Sequence, residues 1–258
     1  MTGKCCRRLD LARPTTALLV GLFTLPWIAP AAAYRPFDGT DAAVADVGEV
    51  EVELQPAGLL HEGPGNALVA PAVVYNYGFA ERWEVVLQTQ AETPFSPPGR
   101  SILTDNGVFL KSVLRPGSLQ DKTGPSIATE FGLLLPDVNA EQGVGASWSG
   151  IVSQRWEWAT VHLNLMTNLT RDQRGELFVD AILEGPSKWP IRPVMELYSD
   201  SVSDQSQTFS GLVGAIWQVR DNLAFDVGLR HALVNGHQVS ELRLGLTFGI
   251  PTGRPWAP

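Results

Sequence analysis

The sequence predicts an all-β fold, an antiparallel transmembrane β-barrel of about twelve strands, and three observations carry that prediction. From Val239 to Ile250, Leu242, Leu244, Leu246 and Phe248 fall on one parity, while Glu241, Arg243, Gly245 and Thr247 fall on the other. Alternation this strict is the period of a strand, not of a helix. The pattern returns in segments of roughly ten residues along the chain, which is the signature of a membrane barrel. Within each segment the charged residues keep to one parity. A Lys or Arg facing lipid at the bilayer midplane costs about 2–4 kcal/mol, so one face has to stay free of charge. A soluble β-sandwich also alternates, but it packs its apolar face inward and needs no such purity over twelve strands.

The N-terminus reads differently from the rest. Lys4, Arg7, Arg8 and Arg13 form a basic region, Ala17 to Pro30 is mostly apolar, and Ala31-Ala32-Ala33 is a small-residue cleavage site. Residues 1–33 are therefore expected to be a secretory signal peptide cut before Tyr34, leaving residues 34–258 as a single barrel domain. Pro26 and Pro30 interrupt the apolar run, which argues against an anchor helix. Arg7-Arg8 could suggest twin-arginine export, but a barrel precursor has to reach its insertion machinery unfolded. Both cysteines, Cys5 and Cys6, fall in this segment, so the mature chain would hold no disulfide and no thiolate metal site. Losing four basic residues and Asp10 moves the formal net charge from −8 to −11. That acidity sets nucleic-acid binding aside. After the N-terminus no run of eighteen apolar residues occurs, which excludes a helical membrane protein.

Each strand has its own justification in the pattern. Tyr34 to Val47 is a lead-in without clear periodicity. Glu49, Glu51, Glu53 and Gln55 then alternate with Val50, Val52 and Leu54, which puts the acids on one side of a first strand. Pro56 to Asn66, rich in Gly and Pro, is expected to be a loop. A second strand, Ala67 to Gly78, and a third from Trp83 flank the turn Phe79 to Arg82. Ala91 to Asn106, with Pro94, Pro97 and Pro98, is expected to be a long connection. Further strands are Gly107–Arg115, Ser126–Leu135, Gly143–Gln154, Ala159–Leu169, Gly175–Glu184, Ile191–Asp200, Gln207–Val219 and Leu223–Leu233. Pro251 to Pro258 is a short tail. Long and short connections are expected to alternate along the chain, as in a barrel whose two rims differ. Trp83, Trp156, Trp158 and Trp189 stand at or beside strand ends, where interfacial girdles form.

Two turns carry a resemblance. Asn76-Tyr77-Gly78-Phe79-Ala80-Glu81-Arg82-Trp83-Glu84 and the stretch from Trp217 to Gly228 resemble the recurrent hairpin of an outer-membrane transporter family labelled after the meta-cleavage pathway of phenol degradation. The resemblance spans roughly residues 48–251. It implies a location in the outer membrane of a Gram-negative bacterium and a link to aromatic-compound pathways, without fixing a substrate. The ending Arg243 to Ile250 is similar to the signal read by the barrel-assembly machinery, although eight residues follow it. The partners implied are thus the lipid bilayer, that machinery and a small-molecule solute.

No catalytic motif stands out: G-x-S-x-G, H-E-x-x-H and the phosphate-binding loop are all missing. His61, His162, His231 and His237 are dispersed. His231 and His237 flank a turn at Asn235-Gly236 and read better as solvated loop residues than as a metal pair. A hydrolase joining His162 to a serine on a neighbouring strand is conceivable, but a polar residue facing the lumen is the better default. No enzyme, no cofactor and no metal site are therefore expected. The inward parity is the functional feature. It would carry Glu49, Glu51, Glu53, Glu84, Glu130, Glu196, Asp226 and Glu241 with Lys111, Arg115, Arg192, Arg230 and Arg243. Rings of charge set selectivity in a pore. The same charges could instead pair across strands and fill the barrel, since twelve strands lie between small filled barrels and open porins. The expectation is a passive channel or transporter for small solutes, aromatic compounds among the candidates. The alternative is a non-conducting structural or partner-binding barrel.

Overall fold

A computed structural model of the chain describes residues 36–253; the expected signal peptide lies outside the described residues. Twelve strands follow in order: β1 (Glu49–Glu62), β2 (Gly65–Ala80), β3 (Trp83–Ser96), β4 (Ile102–Arg115), β5 (Ser126–Leu134), β6 (Gly145–Arg155), β7 (Thr160–Leu169), β8 (Gly175–Glu184), β9 (Ile191–Val202), β10 (Ser206–Arg220), β11 (Leu223–Val234) and β12 (His237–Pro251). Each pairs antiparallel with its neighbours in sequence, and β1 pairs with β12, so the sheet closes on itself and leaves no edge.

Two expected loops are strands. Pro56 to Asn66 belongs to β1 and β2, with only residues 63–64 between them, and most of Ala91 to Asn106 belongs to β3 and β4. Proline donates no ladder hydrogen bond, yet a bulge tolerates it. Here Pro56 falls in the register shift between Leu54 and Ala57, and Pro71 in the shift between Val69 and Ala72. Pro251 closes β12 opposite Glu49 instead of beginning a tail.

The outward parity is a band of large apolar side chains. Leu163 and Leu197 stand 51% and 57% exposed, and Val179, Val213, Val227 and Leu244 are similarly bare. On a soluble protein so continuous a surface would be a liability; around a barrel it is the face that lipid covers. β1 begins and β12 ends at one rim, here the terminal rim. Trp83, Trp156, Trp158, Trp189 and Trp217 all stand exposed at that rim, and Phe95, Trp148 and Phe209 stand near the far one. Trp156 and Trp158 stack with ring centroids 5.8 Å apart. These are two interfacial girdles. The rims do not differ in loop length as expected. Each mixes turns of two to six residues with one ten-residue connection, 116–125 at the terminal rim and 135–144 at the far one.

Candidate functional site: a lumen crossed by its own N-terminal segment

On the inward parity, Glu49, Glu51, Glu53, Glu84, Lys111, Glu196, Asp226, Glu241 and Arg243 are buried, and Glu130, Arg192 and Arg230 are half-buried. Arg115 departs from the expected set. A register shift between Val113 and Arg115 pairs it with outward-facing Ile127, and its guanidinium donates to the carbonyls of Pro125 and Thr123 at the terminal rim. A bulge flips every side chain beyond it to the other face.

The lumen is occupied by the chain itself. Residues 36–47, expected to be a featureless lead-in, enter at the terminal rim and cross the interior. The entry is tight. The Gly48 amide donates to the Gly78 carbonyl at 2.7 Å, and a Cβ on Gly78 would strike the Ala45 and Asp46 carbonyls. Glycine at this point of β2 is what lets the segment pass.

Polar groups of the wall then hold the segment in turn. The Ala45 amide donates to Glu84 Oε2 at 2.7 Å. The Ala42 amide donates to Ser153 Oγ at 2.9 Å, and Gln120 Nε2 donates to the Ala42 carbonyl at 2.8 Å. The amides of Asp38 and Gly39 both donate to Glu196 Oε1 at 2.8 Å. Arg243 donates to the Pro36 carbonyl at 2.8 Å and to Asp38 Oδ1 at 2.9 Å. A segment without secondary structure finds few partners for its backbone within itself, the Ala43 amide on the Asp41 carboxylate being one, so its surroundings supply most of the others. Two apolar contacts add to the seat: Phe37 packs on Val194, Ile216 and Ala224, and Ala42 sits among Ala128, Ile151 and Leu119.

Lys111 is the cation at the centre of this seat. It is only 3% exposed, lies 3.4 Å from Glu84 and 3.8 Å from Asp41, and faces Glu130 in the ladder. Its ammonium also donates to Thr40 Oγ1 at 3.3 Å. A second group joins β6, β7 and β8. Ser153 and His162 are register partners with Oγ and Nδ1 2.8 Å apart, and His162 Nε2 lies 3.1 Å from Glu184, which also takes Arg192 at 3.3 Å. With the imidazole proton directed at Glu184, Nδ1 accepts from the serine hydroxyl, whose remaining lone pairs face the Ala42 amide. Ser153 is fully buried and engaged on both sides. In this state its hydroxyl oxygen is committed to His162 and to the Ala42 amide of the segment.

The segment divides the interior. On the terminal side a cavity of about 610 Å³ is lined by Asp41, Ala43 to Val47, Glu51, Glu84 and Gln120. On the far side a cavity of about 340 Å³ is lined by Phe37 to Thr40, Glu53, Lys111, Glu130 and Asn164. Periodicity could find the wall residues. It could not find Asp38, Thr40 and Asp41, whose only sequence signal is a short Asp- and Gly-containing stretch without a period just before the first strand.

No protein-family model matches the chain, and neither does any curated protein sequence. Solved structures do match in shape. An outer-membrane channel from Pseudomonas putida F1 superposes with a TM-score of 0.57 at 11% identity, covering 83% of this chain and 100% of that one. The KdgM porin superposes with a TM-score of 0.50 at 10% identity, covering 77% of this chain and 98% of that one. The fold is that of the outer-membrane β-barrels.

Proposed function

We propose that the protein is an outer-membrane channel for small solutes whose lumen is closed in this state by residues 36–47. The observation that carries the reading is the character of the closure. A filled barrel would interlock wall side chains across its axis, whereas here a single strand of irregular backbone separates two cavities. Ordering each of its residues costs about 1–2 kcal/mol. Its hydrogen bonds to charged groups return about 1.5–3 kcal/mol each. Terms of similar size that oppose one another make a plug that can leave. Acids outnumber bases on the wall, so the open lumen favours cations over anions. The resemblance of the two hairpins to transporters named after phenol degradation makes small aromatic compounds the first solutes to try.

The plug also favours a second reading, a barrel that never conducts and serves as a structural or binding element. Planar-bilayer recordings separate the two. The full chain should show low and intermittent conductance, and a variant lacking residues 36–46 should show steady conductance several times larger, with a reversal potential in a KCl gradient that favours potassium. A plug-deleted barrel that is folded and still silent would leave only the second reading.

A further inference from the structure

Asp38 occupies a site with the makings of a ligand subsite. Arg243, only 8% exposed, reaches three oxygens: Glu241 Oε2 from both Nε, at 3.0 Å, and Nη2, at 2.9 Å, the Pro36 carbonyl from Nη1, and Asp38 Oδ1 from Nη2. Arg230 stands beside it on β11, donating to Glu241 at 3.1 Å and to the Tyr198 hydroxyl at 2.9 Å. On the wall itself, two guanidinium groups therefore share one carboxylate, Glu241. The second carboxylate comes from the plug. If the plug withdraws, Arg243 keeps Glu241 but loses the Pro36 carbonyl and the Asp38 carboxylate, and leaving partly dehydrated donors without their acceptors is costly. A guanidinium is the group best suited to take a carboxylate in its place.

The plug shows what else an occupant needs. While the Asp38 carboxylate sits on Arg243, the amides of Asp38 and Gly39 donate to Glu196. Glu196 would repel a bare anion, but it accepts from a ligand that brings its own donor. We infer that Arg243, Arg230 and Glu196 form a lumen site for a small organic acid that carries a hydrogen-bond donor beside its carboxylate, and that Asp38-Gly39 fills this site in cis. Such a solute and the plug exclude each other, so the solute opens the path it uses. Most of the remaining charge on the wall is acidic, which makes this arginine pair a point where an anion can pause. The inference rests on the plugged-channel reading and adds a solute class to it.

The test is calorimetric titration of the detergent-solubilised full chain with 3-hydroxybenzoate, 3-hydroxybenzamide and benzoate, with folding of every variant checked by its gel shift on heating. Expected is binding of the hydroxy acid, weaker binding of benzoate, and no heat from the amide. Asp38→Asn, which removes the competing charge, should tighten the hydroxy acid at least threefold; Arg243→Gln should weaken it at least tenfold. Equal affinity for acid and amide overturns the site, as does an Asp38→Asn variant that binds no better than wild type. Benzoate binding as well as the hydroxy acid overturns the role of Glu196. Should Arg243→Gln not fold, the Asp38→Asn comparison decides alone, because it leaves the wall untouched. Calorimetry needs no conduction. A barrel that binds the acid but stays silent without its plug overturns the channel and keeps the site, and one that conducts but ignores the acid does the reverse.

Discussion

Lys111 shows how one side chain ties the plug to the wall. Its ammonium sits among Glu84, Asp41 and Glu130, one acid from a neighbouring strand on each side and one from the plug. Removing one member of a buried pair strands the others. Lys111→Met should lower stability by about 3 kcal/mol, read as a fall in the urea midpoint in lipid vesicles. Adding Glu84→Gln should restore part of the loss, because fewer acids are then left without a cation. Arg171 ties the far rim in a similar way. It donates to the carbonyls of Leu135 and Asn106 at 2.7 and 3.0 Å and lies 3.3 Å from Asp137. Arg171→Ala should cost about 1–3 kcal/mol and make the 135–144 connection markedly easier for protease to cut, with the barrel otherwise intact.

At the scale of the strand, the two parities make opposite demands. Leu165 lies near the middle of β7 on the outward face, so Leu165→Arg should cost about 2–4 kcal/mol, measured by folding into vesicles. Asn164→Leu, one residue away on the inward face, should leave insertion intact while loosening the plug, because it removes the acceptor of the Thr40 amide at 3.3 Å. This duality is why the strands were legible in the sequence: lipid on one side and water or plug on the other impose a period of two, and the segment from Val239 to Ile250 displays it almost without exception. The misreadings have equally physical causes. Pro56 and Pro94 look like loop punctuation, yet the first sits in a bulge and the second opposes Ala67 next to a register shift. β4 keeps its parity as far as Val113, and Arg115 lies beyond a bulge that no local pattern announces. The plug was illegible because every one of its anchors is distant in sequence: Glu84, Ser153, Glu196 and Arg243 meet it only once the barrel has closed.

For the whole molecule, closure of the β1–β12 seam gives the assembly its stability as a unit. The folded barrel should migrate differently in boiled and unboiled gel samples and be recovered with outer membranes; a soluble periplasmic product with no such shift would contradict the apolar outer face. Seam and plug are also neighbours in the chain, since the plug runs directly into Glu49, the first residue of β1. A withdrawn plug stays tethered at Gly48, within about a dozen residues' reach of its seat. Its local concentration there is in the millimolar range, as for any short flexible tether. Reclosure is then a first-order event, indifferent to how many barrels the membrane holds. A synthetic peptide of residues 36–47 added to the plug-deleted barrel would have to be supplied at about that concentration before it silenced the pore as well as the attached segment does.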